Sequence, residues 1–198
     1  MDISLGCECG KVIGIAKNAT PSSGTRLTCY CSDCQAFPRH LRKAETVLDP
    51  WGGTDIFQMA QAHVEIHTGT DQVRCLRLSE KGLHRWYTAC CNTPIGNTLG
   101  GGMPFIGVIH SFITQPGERD VLLGPSRGNV WIKDASIDAS INALVDAPES
   151  LRKGGNPYLV LLRSIRKLIV WKLKGLDQPS PFFDNKKNPV SDPEILPS

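Results

Sequence analysis

Short stretches of apolar residues, separated by turn residues, run from about residue 3 to residue 132. In one of them Val64 and Ile66 alternate with Glu65 and His67, which is typical of a strand with one face in water. Segments rich in glycine, proline, asparagine and serine, such as NATPSSG, separate these stretches and indicate turns. The pattern predicts a mainly β fold of short strands.

After Trp131 the spacing of apolar residues changes from that of strands to that of helices. Apolar residues recur at helical spacing between residues 137 and 145, which predicts one helix. A second and longer helix is predicted to begin at Pro157 and to end at Gly175, because proline is favoured in the first turn and glycine just beyond the last one.

The segment after the second helix is rich in proline, and we expect it to be extended. Its adjacent aromatic residues, Phe182 and Phe183, are the side chains that we expect to hold it against the rest of the molecule. We therefore predict a β domain over residues 1–132 and a helical C-terminal extension with a proline-rich tail over residues 133–198.

Composition and charge exclude several classes of protein. Hydrophobic residues make up 40% and charged residues 21% of the chain, which is ordinary for a soluble globular protein. The formal net charge of +3 is too small to indicate a nucleic-acid partner. The first residues lack the apolar run and cleavage site of a signal peptide, and no stretch of about 18 apolar residues occurs. We expect a cytoplasmic protein.

The chain has eight cysteines, and most of them are closely spaced. Three groups stand out: the opening pair (Cys7 and Cys9), the central cluster (Cys29, Cys31 and Cys34, in CYCSDC) and the late pair (Cys90 and Cys91). Disulfides rarely persist in a reducing cytoplasm, and bridges within such short spacings strain the backbone. Clustered cytosolic cysteines are more often metal ligands, so we predict metal, and zinc in particular, with one or two ions per chain.

The number of thiols constrains the kind of zinc site. Structural zinc sites take four protein ligands, whereas catalytic sites take three and leave one place for water or substrate. The three groups together supply seven ligands, which fits one closed site and one open site. The central cluster supplies three thiols locally, so we predict that it is the open, catalytic site. The other possibility is a structural site in which Cys9, His40 or water is the fourth ligand.

Three motifs follow one another in a fixed order: GCECG, then CYCSDC about twenty residues later, then Arg85-Trp86-Tyr87 running into Cys91 and Pro94. Together they resemble the motifs of the glutathione-dependent formaldehyde-activating enzyme family. The resemblance covers roughly residues 5 to 98. It implies an Mss4-like fold, a structural zinc held by the opening and late pairs, and a catalytic zinc held by the central cluster.

The late motif departs from the family pattern. Thr88 stands where the family has its first cysteine, Asn92 stands where it has glycine, and Cys90 is additional. Either Cys90 and Cys91 both bind metal, or one of them binds and another residue completes the site, or the site is lost and the cysteines only pack. We favour a retained zinc bound by the opening pair and Cys91, with Cys90 as the fourth candidate.

Three further residues have two interpretations each. Arg85 is a candidate for binding the substrate or co-substrate, and it could equally pair with a carboxylate. Asp33 is predicted to cap the central cluster by accepting hydrogen bonds from backbone amides. Cys75 is predicted to be a buried core thiol. It is also the cysteine free for the methionine-sulfoxide-reductase chemistry found on the same fold, an interpretation that we rank last.

The family resemblance implies a carbon–sulfur lyase. A thiolate held at an open thiolate site could attack an aldehyde to form a hemithioacetal, and the resemblance implies glutathione as the thiol co-substrate. We therefore predict a zinc protein that binds a small thiol or a thiol–aldehyde adduct at Cys29, Cys31 and Cys34. Enzymatic activity itself is left open, because one fold supports many functions.

The long predicted helix supports an alternative function. Between Leu151 and Leu176 there are seven Lys or Arg residues and no Asp or Glu, together with a broad apolar stripe. Such a helix suits a membrane surface or an acidic partner. It could also pack on the β domain or in a homodimer with its basic residues in water. The alternative is therefore a non-catalytic zinc adaptor that contacts a membrane or a protein through residues 157–174.

Overall fold

The computed structural model describes residues 1–115, 117, 119–135, 151 and 157–196. Across these residues the chain is mainly β, with a few helices, so the predicted fold class is confirmed at that level. The helix predicted between residues 137 and 145 lies outside the described residues. No helix of the described part is long and apolar enough to cross a membrane.

The strands follow one another closely along the chain. Their bounds are β1 (Ile3–Gly6), β2 (Ile13–Ala16), β3 (Thr25–Cys29), β4 (Thr54–Met59), β5 (Val64–Thr68), β6 (Val73–Arg77), β7 (His84–Thr88), β8 (Pro94–Thr98), β9 (Ile106–Ile109), β10 (Asn129–Val130) and β11 (Glu194–Ile195). The helices are α1 (Ser32–His40), α2 (Ala44–Val47), α3 (Arg119–Leu123) and α4 (Pro157–Leu173).

The strands form two sheets. The smaller sheet has the order β1-β2-β5, and the larger has the order β10-β3-β4-β9-β8-β7-β6-β11. All pairings are antiparallel except those of the short outer strands β10 and β11, which run parallel to β3 and β6. Every residue of β8 and β9 is buried, so these central strands are covered on both faces. This explains why FIGVI reads as a continuous apolar run and not as an alternating one.

The main hydrophobic core contains residues from both sheets and from the C-terminal tail. Ile3 of β1 and Trp86 of β7 belong to it, and so do Phe182 and Phe183. The two phenylalanine rings lie 5.1 Å and 5.4 Å from the Trp86 ring, centroid to centroid. Further along the tail, β11 pairs with β6. The expected anchoring by the two phenylalanines is therefore observed, and these contacts cross the division predicted at residue 132.

Helix α4 contacts the rest of the molecule through a narrow seam. Val160 and Trp171 are its buried residues, at 6% and 8% exposure. Between them, Ser164 Oγ donates to Gln58 Oε1 at 2.6 Å, and Lys167 Nζ donates to the Ser22 carbonyl oxygen at 2.6 Å. A lysine therefore faces the body while most apolar residues of the helix face outward. The helix therefore packs on the rest of the molecule with only a few of its residues, and the expectation of a homodimer or a membrane contact through residues 157–174 stays a prediction.

Candidate metal centres

The opening pair lies on a tight turn that follows β1. The Gly10 amide donates to the Cys7 carbonyl at 3.0 Å, and Gly10 has a φ of 75°, which favours glycine. The Cys7 sulfur in turn accepts the Val12 amide at 3.2 Å. The turn and this hydrogen bond together fix the position of the Cys7 sulfur.

The late pair lies on the turn that joins β7 to β8. The Asn92 amide donates to the Thr88 carbonyl at 2.8 Å, and Asn92 has a φ of 57°. Asparagine is one of the few residues other than glycine that adopts this left-handed conformation readily. Asn92 therefore adopts the backbone conformation that this turn requires.

The two turns bring four cysteines together. The Sγ atoms are separated by 3.6 Å for Cys7–Cys9, 3.8 Å for Cys7–Cys90, 3.4 Å for Cys9–Cys90 and 3.8 Å for Cys90–Cys91. All four sulfur atoms lie within 4.8 Å of one another. Sulfur atoms about 2.3 Å from a tetrahedral zinc ion lie about 3.8 Å apart, so this four-cysteine cluster fits zinc. Cys90 and Cys91 both lie in it.

Thr88 supports this cluster from the end of β7. It is fully buried, its hydroxyl lies 3.4 Å from the Cys91 sulfur, and it accepts the Thr93 amide at 3.1 Å. Burial opposes ionisation of Cys91, but hydrogen bonds from Thr88, Thr93 and Cys9 together outweigh it and lower the pKa of Cys91 to about 6. A threonine at position 88 thus favours the thiolate that a metal requires.

The central cluster spans the junction between β3 and α1. Cys29 ends β3, Cys31 is the N-cap residue of α1, and Cys34 lies in the first turn of the helix. The Cys34 amide donates to the Cys31 sulfur at 3.4 Å, and the Cys29 and Cys31 sulfur atoms are 3.4 Å apart. The three sulfur atoms lie within 4.8 Å of one another, and the described residues place neither Cys9 nor His40 with them.

The three thiols of the central cluster differ in acidity. Hydrogen bonds from Cys29 and Cys34, followed by the positive charge of Arg85, lower the pKa of Cys31 to about 2. The hydrogen bond to Cys31, together with burial, raises the pKa of Cys29. The helix N-terminus also favours negative charge at Cys31. The cluster is therefore arranged to hold its first negative charge on Cys31.

Arg85 of β7 lies beside the central cluster and is 1% exposed. Its Nη2 donates to Asp33 Oδ2 at 3.1 Å, and its Nη1 donates to Asn97 Oδ1 at 3.1 Å. Its guanidinium lies 5.6 Å from the centre of the Phe37 ring. Asp33 therefore pairs with Arg85, and the predicted role of Asp33 as the cap of the cluster is wrong, because Cys31 is the capping residue.

A cavity of about 470 Å³ opens beside the central cluster, and all three cysteines line it together with Arg85. Most of the remaining wall is apolar. It includes Leu27, Ile56, Leu83, Phe105, Val130 and Val160. Because Val160 belongs to α4, the C-terminal helix forms part of the wall. A ligand in this cavity would touch the thiols and an apolar surface at once.

A family model described as "Family of unknown function (DUF6151)" matches residues 2–194. The chain belongs to this family. No curated protein matches the chain. The match of the DUF6151 family covers both cysteine clusters, the cavity, α4 and most of the tail, so these features belong to one family unit. The resemblance to the glutathione-dependent formaldehyde-activating enzymes stays a prediction.

The remaining cysteine of this DUF6151 protein is set apart from both clusters. Cys75 of β6 is 2% exposed, and its sulfur contacts the Leu76 carbonyl oxygen at 3.8 Å. Burial raises the pKa of Cys75 to about 12. The prediction of a buried core thiol is confirmed, and a buried, protonated thiol is a poor redox nucleophile.

Some residues of the site in this DUF6151 protein were missed by sequence reasoning. Asn97 holds Arg85 from the neighbouring strand, and the two are cross-strand partners in the β7–β8 pairing. Assuming a regular hairpin around the late pair, one could count back along both strands to find the partner of Arg85. The count fails because the register shifts between Trp86 and Tyr87. Ser164 of α4 also lines the cavity, and nothing in the sequence places a helix more than one hundred residues away against the central cluster.

Proposed function

We propose that this protein holds zinc at both cysteine clusters and binds a thiol or a thiol–aldehyde adduct at the central one, as a carbon–sulfur lyase. The observation that carries the proposal is the placement of three clustered thiols in the wall of a cavity, with no fourth protein ligand among the described residues. The four-cysteine cluster, by contrast, supplies a complete ligand set and has the structural role.

An Mss4-like arrangement is part of the proposal. Two β sheets and two cysteine-bearing turns that meet across a long β segment support it. The opening pair and the late pair are more than eighty residues apart in sequence, so a zinc ion between them would join the first strand to the β7–β8 hairpin. Such a link favours the folded state, because the ligands are far apart in the unfolded chain.

Zinc bound by Cys29, Cys31 and Cys34 would supply a fourth place at which a substrate thiol is held as a thiolate. Three thiolates in a buried site carry excess negative charge. Arg85 offsets part of it, since its positive charge contributes to the lowered pKa of Cys31 and opposes the rise in the pKa of Cys34 that the hydrogen bond with Cys31 and burial cause. Asp33 and Asn97 fix the position of Arg85, which keeps the cation at the cavity wall.

The proposed reaction is the reversible addition of a thiol to an aldehyde. In the forward direction the thiol gives up its proton to solvent on binding, and the thiolate sulfur then forms a bond to the aldehyde carbon while the carbonyl π bond breaks. The oxygen takes a proton back from solvent and becomes the hydroxyl group of the hemithioacetal. In the reverse direction the carbon–sulfur bond breaks and the proton leaves. Arg85 lies on the cavity wall and would stabilise the oxygen while it carries negative charge.

The lining of the cavity favours an adduct with an apolar group. Glutathione carries carboxylates and an ammonium group, and these need polar partners when they are buried. The cation of the cavity wall, Arg85, already pairs with Asp33. Against the apolar wall, in contrast, the binding free energy becomes more favourable by about 25 cal/mol for each Å² of apolar surface that a ligand buries. We therefore propose that an apolar thiol or aldehyde binds better than glutathione does.

Metal analysis of the full chain and of two cysteine variants tests the proposal. We expect two zinc ions per chain in the unmodified protein. Cys31→Ser is expected to lose one ion and to stay folded, because the central cluster is not needed to join distant segments. Cys9→Ser is the matched control, and it is expected to lose the structural ion and much of its thermal stability. Zinc content and circular dichroism measure both properties.

Ligand binding completes the test. The cobalt-substituted protein should change its visible absorption when a small apolar thiol such as butanethiol is added, and glutathione should require a higher concentration. The Cys31→Ser variant should show no such change. The proposal is wrong if the protein is folded and holds two metal ions but no added thiol changes its cobalt spectrum. The central cluster would then be purely structural.

A further inference from the structure

Helix α4 presents an apolar stripe to the outside of the molecule. Leu162, Ile165, Ile169 and Leu173 follow one another at helical spacing and define this outward stripe. Their exposed fractions are 64%, 44%, 55% and 83%. The residues that face the body, Val160, Ser164, Lys167 and Trp171, lie on the opposite side of the helix. An exposed apolar stripe of this length on a single element indicates an interaction surface.

Basic side chains lie beside the outward stripe. Burial, and then the positive charges of Arg163, Arg127 and Arg166, lower the pKa of Lys167 to about 8, so these cations are close together. Arg127, Arg163 and Arg166 are exposed, and they define the basic flank of α4. Helix α4 itself contains no acidic residue. The surface therefore combines an apolar stripe with a flank that carries only positive charge.

The charge decides which occupant suits this surface. A second copy of the chain would place one basic flank beside another, with no acidic residue on either helix to pair with it, and like charges that flank an apolar seam destabilise helix pairing. An anionic lipid surface offers negative headgroups to the flank and an apolar interior to the stripe. A helix of this kind lies in the plane of the interface and does not span it.

We propose that the outward stripe and basic flank of α4 form a docking surface for membranes that contain anionic lipids. The apolar side chains of the stripe enter the interface, and the arginines of the flank contact the headgroups. The helix stays attached to the β strands through Val160, which packs with Leu27 and Ile56, and through the hydrogen bond of Ser164, so docking needs no unfolding of α4. This surface is separate from the cavity, because none of the four residues of the outward stripe lines it.

Vesicle sedimentation of the full zinc-loaded chain tests the proposal. We expect binding to mixed phosphatidylcholine–phosphatidylserine vesicles and binding about tenfold or more weaker to pure phosphatidylcholine, since each basic residue near an anionic surface contributes to affinity. Raising the salt from about 0.1 M to about 0.5 M should weaken binding, because exposed charges are screened. The double variant Leu162→Ser/Ile169→Ser should lose binding. Val121→Ser, which removes an apolar residue 82% exposed on α3, is the matched control.

A second pair of variants isolates the charge. Arg163→Gln/Arg166→Gln should lose most of the preference for anionic vesicles, whereas Lys81→Gln, at an exposed position in the turn between β6 and β7, should not. Zinc content and circular dichroism should be unchanged in all of these variants, which separates this proposal from that of the metal centre. Absence of sedimentation with any vesicle overturns the proposal. So does a dimer in light scattering that the Leu162→Ser/Ile169→Ser variant abolishes.

Discussion

Arg85 is a permanent cation in a buried position, and its surroundings explain how it is accommodated. Burying an arginine is costly unless its charge is paired and its donors are bonded. Asp33 supplies the charge, Asn97 accepts a second hydrogen bond, and the Phe37 ring lies 5.6 Å from the guanidinium. The Nε atom has no hydrogen-bond partner in the described part of the chain. A buried cation held in this way has an electrostatic role at the neighbouring thiols.

The change Arg85→Met tests that role, because it keeps a long side chain and removes the charge. We expect the pKa of Cys31 to rise, since the arginine charge is one of the causes that lower it. The measurement is the pH dependence of alkylation at Cys31 in the metal-free protein, located by tandem mass spectrometry. Its midpoint should move to higher pH. Arg39→Met, at an exposed position of α1, should leave the midpoint unchanged, and an equal shift in both variants would contradict the assignment.

Residue patterns predicted the grouping of the cysteines better than the contacts around them. The spacing of Cys29, Cys31 and Cys34 within six residues is local, so the sequence alone indicates that their sulfur atoms can meet. The pairing of Arg85 with Asp33 joins a strand to a helix fifty-two residues apart, and local pattern does not report such a contact. From the sequence, Thr88 suggests that a metal ligand has been lost at this position. In the structure, the Thr88 hydroxyl forms a hydrogen bond with the Cys91 sulfur.

At the scale of elements, α4 shows where the pattern of apolar residues falls short. Pro157 and the following apolar run predict a helix, and the structure has one over Pro157–Leu173. The pattern also suggests that the widest apolar stripe is the buried one. In the structure the buried seam instead includes Ser164 and Lys167, whose polar atoms bond to Gln58 and to the Ser22 carbonyl. The spacing of apolar residues shows which residues share a face of the helix, but it does not show which face packs against the rest of the molecule.

The change Trp171→Ala should loosen α4 from the β domain. Trp171 is 8% exposed, and removing a buried tryptophan costs about 3 kcal/mol or more. We expect the amides of α4 to exchange with solvent roughly 100-fold faster, which is what a loss of that size implies. Hydrogen exchange measured by mass spectrometry reports it. The matched control is Ile169→Ala on the outward stripe, which should change exchange little because Ile169 is 55% exposed. Equal effects would mean that the seam is wrongly placed.

At the scale of the whole molecule, the tail completes the β-rich part. Phe182 and Phe183 are 0% and 2% exposed and pack on Trp86 of β7 in the large sheet. Beyond them, the Leu196 amide donates to the Arg77 carbonyl at 2.9 Å, next to the pairing of β11 with β6. Proline-rich composition predicts an extended segment but does not show that the large sheet needs it. The sheet and the tail are therefore expected to unfold together.

The change Phe182→Ala tests this dependence. It should lower the free energy of unfolding by about 3–5 kcal/mol, the range for removing a buried phenylalanine, although the residue lies far beyond the strands on which it packs. Val190→Ala in the same tail is the control, and it should have a small effect because Val190 is 51% exposed. Denaturant unfolding followed by Trp fluorescence measures both variants. If the tail and the sheet unfold together, Phe182→Ala shifts a single unfolding transition to lower denaturant concentration. If the tail unfolds independently, the main transition of the variant stays at the denaturant concentration of the unmodified protein, which would contradict the prediction.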